Sequence, residues 1–183
     1  EDEGEAFLED IGIERGQKVL DFGCGAGHYT IPAAKVVEEK GMVYALDKDA
    51  ESLEKMARLA ETEGLKNIVR IHQPPQGREI GLEYESIDAI LLFDVLHYLN
   101  RRERKELYGN AYRVLKRGGI LSVYPKHCKS DEALWNLADL EAGDIADEIE
   151  SSGFRLEEKI LKRLVHDENF DRGYVLIHRK PAG

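Results

Sequence analysis

At 183 residues and a formal net charge of −10, the chain has the length of one domain able to bury a substantial core. Its 42% apolar and 34% charged residues exclude a disordered chain, and no apolar run approaches the roughly 20 residues of a membrane helix. The acidic balance makes nucleic acid a poor partner, and two cysteines, Cys24 and Cys128, supply neither a disulfide framework nor metal-site spacing, so a reducing, cytoplasmic setting is expected. The chain opens Glu-Asp-Glu without methionine or a signal-peptide pattern, which leads us to expect residues upstream.

Phe7, Leu8 and Ile11 mark a short helical stripe in an N-terminal segment ending near Gly16. A first strand, Lys18 to Phe22, carries the apolar run Val19-Leu20 up to Asp21 and leads into three alternating glycines, Gly23, Gly25 and Gly27. A helix follows from His28 to Glu39, with Pro32 in its first turn and Gly41 as its stop. Met42 to Asp47 reads as the second strand and Ala50 to Glu63 as the next helix, capped by Asp49. Asn67 to His72 is the third strand, followed by the stiff turn Gln73-Pro-Pro-Gln-Gly77. Ile87 to Phe93 is an almost continuous apolar run, the pattern of a central parallel strand covered on both faces.

Arg102 to Leu115 reads as a helix, and Arg101, Arg102, Arg104 and Lys105 as its solvated start. Beyond a double-glycine turn at Gly118 and Gly119, the fifth strand ends at Tyr124. Ser130 to Ser151 reads as mostly helical with a break at Gly143, and Trp135 in it either covers a substrate mouth or seals a packing gap. Phe154 to Leu164 and Gly173 to His178 are the last strands, joined by the polar turn His166 to Asp171. Strands alternating with helices over most of the chain imply an α/β fold, an open and mostly parallel sheet with helices on both faces, in one domain spanning 1–183.

Strand, glycine turn and helix in succession make a nucleotide-type site, because the turn needs φ > 0 and a ligand approaches where a Cβ would stand. A dinucleotide fingerprint requires G-x-G-x-x-G/A. From Gly23 the sixth position is His28 and from Gly25 it is Thr30, so neither register fits and a nicotinamide dehydrogenase is set aside. What stands instead is D-x-G-x-G-x-G from Asp21, with a second acid, Asp47, at the next strand end. In such folds ligands bind outside the strand carboxyl ends, where Asp21, Asp47, Gln73, Phe93 and the corner from Tyr124 to His127 all fall.

These residues resemble the class I S-adenosylmethionine-dependent methyltransferases. The resemblance implies a Rossmann-like sheet of about seven strands with an antiparallel edge hairpin, and S-adenosylmethionine as the cofactor. It implies that Asp21, Phe22, Gly23, Cys24, Gly25 and Gly27 hold the methionine end, and that Asp47, with Lys48 beside it, takes the ribose hydroxyls. Gln73 stands where the family sets an acid or amide against adenine, though a plain loop is the alternative. Phe93, Asp94 and His97 fall in the family's fourth motif, where backbone meets cofactor and side chains face the acceptor. Tyr29 offers an aromatic face to a sulfonium. Cys24 is read as loop packing rather than as a nucleophile, and no metal site is expected from His72, His97, His127 and Cys128.

The implied reaction displaces the sulfonium methyl with an acceptor nucleophile, and His97 and His127 are the candidate bases where the acceptor must lose a proton. Both have alternatives, a packed histidine for His97 and a plain connection for the segment at His127. A small-molecule acceptor is expected. The alternatives are a methyltransferase acting on protein or RNA, and a non-catalytic module that binds S-adenosylmethionine or S-adenosylhomocysteine.

Overall fold

The computed structural model describes residues 3–74, 79–166 and 169–183, with the His166 side chain outside that description. Seven strands form one mixed sheet in the order β3-β2-β1-β4-β5-β7-β6. The strands are β1 (Lys18–Phe22), β2 (Met42–Asp47), β3 (Ile68–His72), β4 (Ile87–Phe93), β5 (Leu115–Tyr124), β6 (Arg155–His166) and β7 (Asn169–Arg179). The helices are α1 (Glu3–Asp10), α2 (Thr30–Val37), α3 (Ala50–Thr62), α4 (Arg101–Val114) and α5 (Ala142–Glu150). This is the Rossmann-like arrangement expected from the alternation, antiparallel edge pair included. The contacts group into two compact units, Glu1–Gly77 with Ile87–Leu91, and Arg78–Ser86 with Leu92–Gly183.

In the first unit β1 pairs with β2 and β2 with β3, all parallel, which aligns Phe22 with Leu46 and Asp47 with His72. Register therefore places the ends of all three strands on one side. Cys24, Ile31, Ala45, Leu53, Met56 and Ala60 pack together beneath the loop. Helix α2 stops at Val37, two residues short of expectation, because Glu38 takes φ 56°. Asn67 Nδ2 donates to the carbonyls of Ala34 and Glu38 at 2.8 Å each, satisfying the acceptors that end leaves open. Gly41 is required by close approach, since a Cβ there would stand 2.7 Å from the Gln17 carbonyl. Asp49 caps α3 as expected, accepting from the Glu51 amide at 3.1 Å and the Ser52 hydroxyl at 2.7 Å. Of the expected turn after β3, Pro75, Gln76 and Gly77 lie outside the described residues.

In the second unit β5 pairs antiparallel with β7, and β7 with β6. The hairpin strands run longer than expected. On the exposed face Lys159 lies over the Tyr174 ring at 4.5 Å, and Arg163 lies over Phe170, in the added part of β7, at 4.3 Å. Residues 167–168 of the predicted turn lie outside the described residues. The double-glycine turn is absorbed into β5, which starts directly after α4, with Gly118 at φ 77°.

Residues 130–141 are not α-helical, contrary to expectation, and Gly143 lies inside α5 rather than breaking it. Glu141 and Asp144 form a reciprocal capping box that starts α5 at Ala142. Before it the chain folds back with Glu132 at φ 49° and Trp135 at φ 47°. Arg104 corrects the reading of a solvated basic cluster. It is 2% exposed and forks onto Glu148 of α5, with Nη2 to Oε1 at 2.6 Å and Nε to Oε2 at 2.9 Å.

Candidate functional site

The glycine loop begins where β1 ends. The Gly23 and Cys24 amides both donate to the Leu46 carbonyl, at 2.8 and 3.0 Å, which folds the loop back over β2. Gly23, Gly25 and Gly27 take φ of 74°, 53° and 95°, so all three alternating glycines occupy the left-handed region. Their surroundings differ. A Cβ on Gly27 would stand 2.5 Å from Met56 Cγ, so this glycine serves packing. A Cβ on Gly25 would meet nothing within 4 Å, so this one keeps open space beside the loop.

Asp47 ties the loop to β2. Its Oδ2 accepts from the Gly25 amide at 2.8 Å and its Oδ1 from the Asp49 amide at 2.9 Å. A carboxylate offers about four lone-pair sites, so two such bonds leave acceptor capacity for a ligand's hydroxyls. The Gln73 amide donates to the Asp47 carbonyl at 2.9 Å, which sets the buried Gln73 directly beyond that acid. Lys48 is exposed, and its carbonyl lies 3.0 Å from His72 Nε2.

Asp21 is buried, and its Oδ2 accepts from the Thr30 hydroxyl at 2.7 Å, bracing β1 against the start of α2. Burial pushes its carboxyl up to about 6, against a smaller lowering by Thr30 and a further push from Asp47. Phe22 and Cys24 are buried, and Cys24 belongs to the apolar cluster beneath the loop. Burial raises the Cys24 thiol far above neutrality and pushes Cys128 up to about 12, so neither is a thiolate nucleophile at neutral pH. Tyr29 precedes α2 and packs against Phe7 of α1, ring centroids 5.9 Å apart.

The second unit holds the other candidates. The Asp94 amide donates to the Tyr124 carbonyl at 3.1 Å, beside the buried Phe93. The backbone then turns through φ 58° at Asp94 into a short 3₁₀ turn, Leu96–Tyr98. His127, just beyond β5, takes φ 73°. Non-glycine residues in this region carry strain that packing must hold, and such strain concentrates at functional sites. Asp94 Oδ1 lies 3.6 Å from His97 Nδ1 and 3.8 Å from His127 Nε2, and the two imidazole centroids are 4.5 Å apart.

The spacing at positions 72, 97, 127 and 128 matches no zinc motif, yet the fold brings Asp94, His97 and His127 together with ligand atoms within 4.8 Å of one another. His72 and Cys128 are not in that set. Trp135 stacks on His97 at 5.5 Å and lies 5.3 Å from Tyr98. At 60% exposure Trp135 does not seal a packing gap.

Lys126 was legible only as part of a connection. Its ammonium is wholly buried and reaches Asp131 at 2.8 Å, Glu132 at 3.3 Å and Asp171 at 2.5 Å, a brace from the loop to the hairpin. Elsewhere, a cavity of about 790 Å³ lies against Met42 and Asn67, at the amino ends of β2 and β3. At its rim Arg15 pairs with Glu38 and Lys35 with Glu63, and the cavity is at the wrong strand ends for a ligand site of this fold.

A glycine loop at a strand end, anchored by an acid on the adjacent strand, defines a Rossmann-like nucleoside-binding architecture. The family described as "Methyltransferase domain" matches residues 19–119, more than half of the chain, and the chain belongs to that family. Over 116 residues it is 28% identical to a probable cobalt-precorrin-6B C(15)-methyltransferase (decarboxylating) of Saccharolobus solfataricus, covering 63% of this chain and 56% of that protein. Over 117 residues it is 31% identical to the sterol 24-C-methyltransferase erg6 of Aspergillus fumigatus, covering 62% of this chain and 29% of that protein. The chain thus spans less than two thirds of the length of either relative. The crystal structure of a SAM dependent methyltransferase from Aquifex aeolicus shares the fold, with a TM-score of 0.79 at 23% identity over 97% of this chain and 89% of that one.

Proposed function

We propose that residues 1–183 form one S-adenosylmethionine-binding domain that transfers a methyl group to a small-molecule acceptor. The observation that carries this reading is the Asp47 carboxylate bonded to the Gly25 amide, within a loop whose Gly25 leaves room for a ligand. In this reading Asp47 accepts from the ribose hydroxyls, with Lys48 beside it and Gln73 toward the adenine. Gly23, Gly25 and Gly27 let the methionine end approach the loop backbone, and Asp21, Phe22 and Cys24 shape that loop from beneath. Tyr29 offers an aromatic face to the sulfonium. When bound, S-adenosylmethionine supplies an electrophilic methyl on a sulfonium, so the chain's task is mainly to align the acceptor and exclude water.

His97 and His127, with Asp94 between them, handle the acceptor's proton. A ring nitrogen can take up a proton and return it, and the half-buried Asp94 carboxylate beside both rings favours the imidazolium that results. The named relatives, a precorrin and a sterol methyltransferase, favour a small acceptor. The exposed Trp135 and Tyr98 beside His97 suit an apolar or planar one. No helix among the described residues is long and apolar enough to cross a membrane. The two unpaired thiols suit the cytoplasm.

Calorimetry with S-adenosylmethionine and with NAD tests the ligand, and only the former is expected to bind. Release of S-adenosylhomocysteine in the presence of a metabolite pool tests the transfer. Tight binding without turnover in any pool would favour a non-catalytic module, and full turnover by both His97→Ala and His127→Ala would reject the proton-handling assignment.

A further inference from the structure

We propose that Asp94, His97 and His127 form a site for a divalent transition-metal ion of the zinc class. His127 Nδ1 lies 2.9 Å from the Glu132 carbonyl. A carbonyl oxygen can only accept, so Nδ1 carries the hydrogen, and in the neutral ring Nε2 presents its lone pair. That lone pair faces Asp94 Oδ1 at 3.8 Å, a separation too long for a hydrogen bond. His97 Nδ1 approaches the same oxygen at 3.6 Å. Two imidazole nitrogens and a carboxylate oxygen thus converge within 4.8 Å of one another, a donor set that one cation can hold together. In a closed tetrahedral sphere with bonds of about 2.0–2.1 Å, ligand atoms stand about 3.3 Å apart. Small rotations of the rings and carboxylate bring the three atoms to that spacing.

The supporting contacts are those of a built site. The bond from His127 Nδ1 to a backbone carbonyl is the outer partner that orients a metal-bound imidazole. Asn136 Nδ2 donates to the His97 carbonyl at 3.0 Å and holds the 3₁₀ turn in place. Both imidazoles are buried, and Trp135 stacks over His97. Two imidazoles and one carboxylate favour zinc, cobalt or ferrous ions over magnesium or calcium, which prefer all-oxygen shells. Three protein ligands leave a coordination position for an exogenous oxygen, nitrogen or sulfur. In the loaded protein the imidazoles are ligands, and the ion's charge, rather than an imidazole base, favours loss of the proton from whatever occupies that position. That consequence for the acceptor rests on the proposed methyl transfer, whereas the ion site does not.

Untagged full chain, stripped with a chelator, is titrated with Co²⁺ and followed by its visible d–d absorption, then competed with Zn²⁺. One Co²⁺ per chain in a low-symmetry field is expected, displaced by Zn²⁺. Asp94→Asn, His97→Ala and His127→Ala should each weaken binding by at least about 10- to 100-fold, and His72→Ala should leave it unchanged. Melting curves and S-adenosylmethionine binding by the same variants show whether they fold. Wild-type protein without d–d bands, or folded variants that bind Co²⁺ as the wild type does, would overturn the site. Co²⁺ binding without any S-adenosylmethionine binding would leave the ion site standing and remove the methyltransferase reading.

Discussion

Asp47 Oδ2 accepts a 2.8 Å hydrogen bond from the Gly25 amide, so the acid ending β2 and the glycine loop after β1 act as one piece. Its other oxygen holds the Asp49 amide, which in turn starts α3. Removing the carboxylate therefore strips a charged acceptor from the ligand and from two backbone amides together. Asp47→Ala is expected to weaken S-adenosylmethionine binding by about 1–3 kcal/mol and to lower the melting temperature of the ligand-free protein. Calorimetry and thermal melts check both, and unaltered affinity would detach Asp47 from the ribose.

Asp21 carries a cost that the ligand-free fold does not need. Its carboxyl is raised from the ordinary 3.8 to about 6 by burial, so the folded state binds its proton more tightly than the unfolded chain does. The stability that follows is complete below pH 3.8 and is lost as pH rises through 6. Asp21→Asn cannot ionise and still accepts from Thr30. Relative to wild type it should gain on the order of 3 kcal/mol between pH 4 and pH 8, read from urea midpoints. The same substitution should weaken S-adenosylmethionine binding at pH 8, where wild-type Asp21 is charged.

His178 works in the opposite direction. It sits fully buried in β7, and burial lowers its imidazole from 6.5 to about 4. The folded protein holds this ring neutral, so its contribution is complete above pH 6.5 and is lost as pH falls toward 4. Wild type should lose about 3 kcal/mol more than His178→Leu between pH 7 and pH 4, measured by urea denaturation. Equal losses would show that His178 does not drive acid unfolding.

Arg104 and Glu148 join α4 to α5 through a bidentate contact that is largely out of water, with side chains 3% and 17% exposed. Arg104→Ala leaves the Glu148 carboxylate without its cation and should cost about 3–5 kcal/mol. Arg104→Lys should recover only part of this, because an ammonium cannot reproduce the planar fork. Chemical denaturation of the two variants provides the check.

Local chemistry made much of the fold legible. Strands β1, β2 and β4 have the expected ends, because an apolar run bounded by an acid or glycine has few other ways to bury itself. Asp49 read correctly as a cap, since the capping bond spans two residues. Residues 130–141 misled because their helical composition is local, while the contact from the Leu134 amide back to the His127 carbonyl is not. Arg104 looked solvated for a similar reason. Its partner lies 44 positions away, and nothing near Arg104 signals Glu148.

The alternation of strands and helices, the glycine loop and the acid one strand later follow from the residues alone, because these depend on φ preferences, hydrophobic period and spacing along a short stretch. It took the folded chain to bring Asp47 onto Gly25, Asn67 onto the end of α2, Lys126 onto the hairpin, and Asp94, His97 and His127 together. The last three side chains meet because a positive-φ turn at Asp94 and another at His127 aim residues some 30 positions apart at one point. Such convergence is a property of strand adjacency and backbone direction, which no local pattern encodes.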